Sequence, residues 1–296
     1  MNSRPAKLTP KLGGAVHILP NLLTSGNLFF GFFSILKSIQ GDFTWAAGAV
    51  LLAAIFDVLD GRVARLTNAT SEFGVQYDSL CDLISFGLAP AIMMYQFGLA
   101  NIGRFGWVLC FIFLACGALR LARFNVQSAL GKASGDFTGL PIPMAAGVVA
   151  CFVGLMIEVD QSVVGEESSW LIQTLITVVS SSGFRRGFLL LMAPFLAFLM
   201  VTNAAYRTHK TTNIRGIKAF RLLAMLVAGV GLAAFQPALG GFVFFFCYAL
   251  SGPMEWLLGW KKATDDDEIF AQDSDEVGLD EFSEFSRHDH DDEQKN

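Results

Sequence analysis

Ala53-Ala54-Ile55-Phe56-Asp57-Val58-Leu59-Asp60-Gly61-Arg62-Val63-Ala64-Arg65 closes an apolar run that begins at Thr44. A run of that length spans the hydrocarbon core of a bilayer as a helix. Carboxylates at the end of such a span are costly when buried without partners, so Asp57 and Asp60 mark a functional site as well as a helix end. Working outward, similar runs cover Asn21 to Lys37, Ser79 to Gly98, Phe105 to Phe124, Pro141 to Glu158, Gly187 to Tyr206, Leu222 to Phe235 and Gly240 to Leu258. The expected fold is therefore an all-α integral membrane protein with about eight transmembrane helices, or seven if the short run from Leu222 merges with its neighbour. Of the 296 residues, 53% are hydrophobic and 16% charged, and the mean hydropathy is +0.50. These values lie outside the range of water-soluble domains.

The net charge of -5 combines two unlike parts. From Thr264 onward, 14 acidic residues face only Arg287 and Lys295, a net -12, which leaves +7 on the 19 basic and 12 acidic residues before it. With an even number of spans both termini share one side. The segments on that side carry 15 Lys and Arg, from Arg4 through Arg62, Arg65, Arg120, Arg123 and Arg207 to Lys262. The opposite segments carry four: Lys37, Arg104, Arg185 and Arg186. The positive-inside bias places both termini, and the site, in the cytosol, with the chain in the cell (inner) membrane. The expected organisation is a cytosolic segment at 1–18, a membrane domain at 19–262 and a disordered acidic tail at 263–296, too poor in aliphatic residues to order itself. Trp170 to Val179 is too short to span and reads as an interfacial helix. Cys81, Cys110, Cys116, Cys151 and Cys247 form no CxxC pair and read as small buried hydrophobes.

A second polar stretch, Gly74-Val75-Gln76-Tyr77-Asp78-Ser79-Leu80-Cys81-Asp82, opens the third span. Asp57 and Asp60 are spaced i, i+3, and Asp78 and Asp82 i, i+4, so each pair shares a helix face. A hairpin of the two spans brings four carboxylates together at one membrane boundary. Such a group persists only if cations neutralise it or protons bind. All-oxygen ligands suit Mg²⁺ or Mn²⁺. Gly61 and Gly74 allow close approach, and Arg65, two turns from Asp57, offers a bidentate partner for phosphate. The bland alternative is that each aspartate is a polar cap in an ordinary salt bridge.

The full pattern, Asp57-x2-Asp60-Gly61-x2-Ala64-Arg65-x8-Gly74-x3-Asp78-x3-Asp82, resembles the signature of the CDP-alcohol phosphatidyltransferase family. That resemblance implies a membrane enzyme in which an alcohol displaces CMP from a CDP-linked lipid, with two metal ions held by the aspartates. It implies Asp57, Asp60 and Asp78 as metal ligands, Asp82 as ligand and general base, and Gly61, Arg65 and Ser71 as nucleotide contacts. Pro20-Asn21-Leu22-Leu23-Thr24, Ser85-Phe86-Gly87-Leu88-Ala89-Pro90, Arg120-Leu121-Ala122-Arg123-Phe124-Asn125 and Phe137-Thr138-Gly139-Leu140-Pro141-Ile142-Pro143 resemble the bacterial branch whose acceptor is serine. The implied substrates are CDP-diacylglycerol and L-serine, with Asn21 and Thr24 on the donor side, and the family implies a homodimer. Independently, the serine carboxylate calls for a fixed cation, which Arg120 and Arg123 at the inner end of the fourth span supply, and Asn125 adds a hydrogen bond. Glycerol 3-phosphate or inositol phosphate would also want arginines, and choline is a further alternative. An ion-coupled transporter is the rival from another class, but transporter sites sit near the midplane in paired repeats, and no second copy of this cluster is visible in the sequence.

Overall fold

The computed structural model describes residues 18–67, 71–129, 136–162, 181–202, 205–207 and 236–257. The helices are α1 (Ile18–Ile39), α2 (Phe43–Leu66), α3 (Glu72–Ile102), α4 (Arg104–Ala129), α5 (Ile142–Ser162), α6 (Ser182–Val201) and α7 (Pro237–Leu257). Each of the seven is long and apolar enough to cross a membrane. The run from Leu222 to Phe235, the interfacial segment at Trp170, the chain up to residue 17 and the acidic tail lie outside the described residues. Described residues up to Pro253 form one compact unit, and Met254 to Leu257, the end of α7, belong to another.

Small residues set the tightest packing, as expected where lipid removes the hydrophobic drive between helices. Ala46, Ala49, Val50 and Ala53 form a buried stripe on α2, and α2 packs along much of its length on α1. Gly26 of α1 receives the ring of Phe56, and the Ser34 hydroxyl donates to the Ala46 carbonyl at 2.8 Å. The deepest core joins Phe86, Met93 and Met94 of α3, Phe113 of α4, Val148, Val149, Phe152 and Val153 of α5 and Leu189, Leu196 and Leu199 of α6. Outward faces carry Phe29, Phe32, Trp45, Ile55, Phe105, Phe111 and Phe198, all exposed as lipid-facing residues are. Pro194 lies inside α6 and Pro253 inside α7, as membrane helices tolerate.

Helix ends depart from the apolar runs in both directions. Helix α2 continues past Asp60 to Leu66, so Gly61, Arg62 and Arg65 are helical residues. Helix α3 starts at Glu72, seven residues before the run that marked it, because the Ser71 hydroxyl accepts from the Gly74 amide at 3.0 Å and caps the helix. Helix α6 runs from Ser182 to Val201 rather than from Gly187 to Tyr206, started by a Ser181 cap on Phe184. Tyr206 instead belongs to a short strand, β2 (Ala205–Arg207), antiparallel to β1 (Asp136–Thr138) with Phe137 opposite Tyr206. This ribbon joins the α4–α5 connection to the end of α6. Gly139 follows β1 with φ +79 and lies so close to the Met200 carbonyl that a side chain has no room; the Leu140 amide also donates to the Leu199 carbonyl at 2.9 Å. All five cysteines are free; Cys81, Cys110 and Cys151 are buried, whereas Cys116 is half-buried and Cys247 is exposed on α7. The expectation of five buried thiols is thus corrected at those two positions.

Lys37, Arg185 and Arg186 sit at the end of the bundle opposite the aspartates. Lys37 pairs with Asp42 at 3.3 Å and Arg185 with Asp160 at 3.0 Å. The Arg185 guanidinium lies over Phe97, and Arg186 lies against Gly98.

Candidate active site

The site lies where the C-terminal end of α2 meets the N-terminal end of α3, with α1 packed against both. The two aspartate-bearing helix ends make little direct contact with each other, so α1 is the element that holds their carboxylates together. Ser25 of α1 shares a hydrogen bond with the Tyr77 hydroxyl at 2.9 Å. From the other side, the Asn125 amide of α4 donates to the Ser79 hydroxyl at 2.8 Å, one residue from Asp78.

Asp57, Asp60 and Asp78 each offer a carboxylate oxygen, and the three oxygens lie within 4.8 Å of one another. Asp60 is only 4% exposed. Oδ2 of Asp60 and Oδ1 of Asp78 are buried with no hydrogen-bond partner among the described residues. Orphaned, converging anionic oxygens are expensive without counter-charge, and an all-oxygen set at this spacing fits Mg²⁺ or Mn²⁺. Asp82 stands one turn further along α3, outside that group of three. It is buried, and its Oδ1 accepts from the Asn27 amide at 2.9 Å.

The remaining predicted residues lie on the helices around these carboxylates. Arg65 is exposed; its Nε donates to the Gly61 carbonyl at 2.9 Å, and it makes no ion pair among the described residues. A Cβ on Gly61 would meet nothing within 4 Å, so the missing side chain leaves open space rather than a helix contact. Gly74 differs, since its Cβ would meet Ser71 Oγ at 3.1 Å and Asn21 Oδ1 at 3.6 Å. Thr24 is buried within reach of Asp60, and its hydroxyl donates to the Pro20 carbonyl at 3.1 Å. Arg120 is 8% exposed, lies 5.8 Å from the Phe124 ring centroid and faces Asp82 and Tyr248. Its Nε is buried and makes no hydrogen bond among the described residues. Arg123, a turn on, is half-buried. Asn27, Ser85, Tyr77 and Tyr248 were not among the candidates. Asn27 was legible as an amide inside an apolar run, and Ser85 as a hydroxyl in the stretch from Ser85 to Pro90; nothing local marked Tyr248.

The fold and this site define a polytopic membrane protein with a carboxylate centre suited to divalent cations beside exposed and buried arginines. Residues 17–181 match the model of the CDP-alcohol phosphatidyltransferase family, and the chain belongs to that family. Its members are generally dependent on divalent metal. The chain is 33% identical over 242 residues to a CDP-diacylglycerol–serine O-phosphatidyltransferase of Helicobacter pylori, covering 82% of this chain and 92% of the relative. A protein of the same name from Mycobacterium leprae is 28% identical over 275 residues, covering 90% and 84%. An archaetidylserine synthase of Methanothermobacter thermautotrophicus is 45% identical over 136 residues, covering 45% and 57%.

Proposed function

We propose that this chain transfers the phosphatidyl group of CDP-diacylglycerol to L-serine, giving phosphatidylserine and CMP. The observation that carries the reading is the convergence of the Asp57, Asp60 and Asp78 oxygens within 4.8 Å, with Asp82 and the buried Arg120 on the acceptor side. Two ions, Mg²⁺ or Mn²⁺, held by these carboxylates would neutralise the donor diphosphate and the charge gathering on CMP as it leaves.

The residues divide into donor and acceptor groups. Arg65 keeps its Nε on the Gly61 carbonyl and offers its terminal nitrogens to the diphosphate, while the space beside Gly61 admits the donor. Thr24 beside Asp60, and Asn21 and Ser71 against Gly74, complete the donor side. Arg120, with Arg123 beside it, holds the serine carboxylate. Asn125 spends its amide on Ser79, which leaves its carbonyl oxygen to accept from the serine ammonium. Asp82 takes the hydroxyl proton as the serine oxygen attacks the lipid-linked phosphorus. The bond from that phosphorus to the oxygen shared with CMP breaks, and CMP carries the electron pair away. Holding both reactants in place is most of what phosphoryl transfer asks of a protein.

The membrane domain spans residues 19–262 between a cytosolic N-terminal segment and an acidic cytosolic tail. The 15-to-4 distribution of Lys and Arg supports a cytosolic site in the cell (inner) membrane, and family membership supports a homodimer. Purified protein incubated with CDP-diacylglycerol, Mn²⁺ and labelled L-serine should make labelled phosphatidylserine in step with CMP; CMP release without label in lipid would overturn the serine assignment.

A further inference from the structure

Asn27 is fully buried in the middle of α1, a position where an apolar side chain would pack at no polar cost. Its amide nitrogen donates to Asp82 Oδ1 at 2.9 Å, while its own Oδ1 is buried and makes no hydrogen bond among the described residues. Half of a buried amide left unsatisfied is unfavourable, so the residue is not explained by packing. The backbone around it is fixed as tightly. The Ser85 hydroxyl, itself fully buried, donates to the Asn27 carbonyl at 3.0 Å. That contact exists because Gly31, one turn along α1, has no side chain; a Cβ there would run into Ser85. Immediately after Asp82, residues Leu83–Leu88 form a π-helical segment, a distortion that re-aims side chains and recurs at functional sites. Asn27, Ser85 and Gly31 therefore clamp α1 to α3 at the turn that carries Asp82.

We infer that Asn27 is a positioning residue for Asp82: by occupying Oδ1 it leaves Oδ2 as the one carboxylate oxygen presented to the acceptor hydroxyl. Asp82 accepts no other hydrogen bond among the described residues, so Asn27 is the group that ties down one of its oxygens, while Arg120 faces the same carboxylate from α4. The inference rests on the proposed role of Asp82 as base. A residue of this kind acts on turnover and not on donor binding, and it acts only while Asp82 can take a proton.

The test is a double-mutant cycle on the full chain in detergent, with CMP release measured at saturating CDP-diacylglycerol and L-serine with Mn²⁺. Asn27→Leu keeps the volume and removes the donor. It should lower kcat about 10- to 100-fold, the loss of one hydrogen bond to a charged group, with both KM values within about threefold of wild type. Thermal stabilisation by CDP-diacylglycerol should persist, which reports a folded donor site. In an Asp82→Asn background, Asn27→Leu should cause less than a twofold further loss, because the carboxylate it orients is gone. Equal losses in both backgrounds, or wild-type kcat in Asn27→Leu, would overturn the inference. If Asn27→Leu does not fold, Asn27→Ala, which also removes the donor, takes its place under the same criteria. Near-normal turnover of Asp82→Asn alone would instead remove the base assignment, and absence of serine-dependent CMP release in wild type would remove the proposed reaction.

Discussion

Gly61→Ala separates a structural glycine from one that leaves room for substrate. Position 61 is an interior residue of α2, where alanine is favoured over glycine by about 0.8 to 1.0 kcal/mol. The added methyl meets nothing within 4 Å, so no packing penalty offsets that gain. The variant should therefore melt about 2 to 4 °C higher in detergent, on the scale of a chain of this size. Activity should move the other way. If the donor occupies the space beside Gly61, one methyl in a filled site costs about 1 to 3 kcal/mol, which is roughly a 5- to 150-fold loss in kcat/KM for CDP-diacylglycerol. Scanning fluorimetry gives the first quantity and CMP release against donor concentration the second. A variant with unchanged kcat/KM would show that the donor does not enter this space, and a lower melting temperature would contradict the open geometry itself.

Other substitutions divide donor from acceptor and packing from chemistry. Arg120→Ala should raise the serine KM by roughly 10- to 100-fold, from a charge-assisted contact worth about 1.5 to 3 kcal/mol, with little change for CDP-diacylglycerol; Arg65→Ala should do the reverse, and steady-state kinetics in both substrates tests the pair. Gly31→Ala should be destabilising by about 1 to 3 kcal/mol, because its methyl would fall against Ser85, 2.7 Å from the Cα; thermal melting should show the opposite sign to Gly61→Ala. Ending the chain after Lys262 removes a stretch whose composition argues against a packed core, and activity in detergent should stay near normal; a large loss would show that the tail serves the enzyme.

Hydropathy located the seven described spans because a lipid-crossing helix must be apolar for most of its length. It missed their ends because helical turns outside the hydrocarbon carry no such signal. Ser71 and Glu72 did carry one, a capping hydroxyl followed by an acidic first turn, and reading it would have started α3 correctly. The i, i+3 and i, i+4 spacings placed each aspartate pair on a face, but spacing along single helices does not say how two helices stand to each other. The approach of the α2 and α3 ends depends on α1, on which both pack and whose Asn27 reaches Asp82 from 55 residues away in sequence. Arg120 and Arg123 are equivalent by spacing, yet only Arg120 is buried toward Asp82, a difference set by the rotation of α4. The ribbon that holds Tyr206 depends on pairing between residues about 70 positions apart, which no local pattern reveals.

On the proposed reaction, this carboxylate site uses divalent metal to pass a phosphatidyl group from CDP-diacylglycerol to serine. The most direct test is CMP release by the purified full-length protein across a panel of L-serine, glycerol 3-phosphate, inositol phosphate and choline, with Mn²⁺ or Mg²⁺ and with EDTA. Release should be fast with serine alone, abolished by EDTA and restored by added metal. Faster release with any other acceptor would contradict the serine assignment, and full turnover in metal-free buffer would contradict the metal site built from Asp57, Asp60 and Asp78.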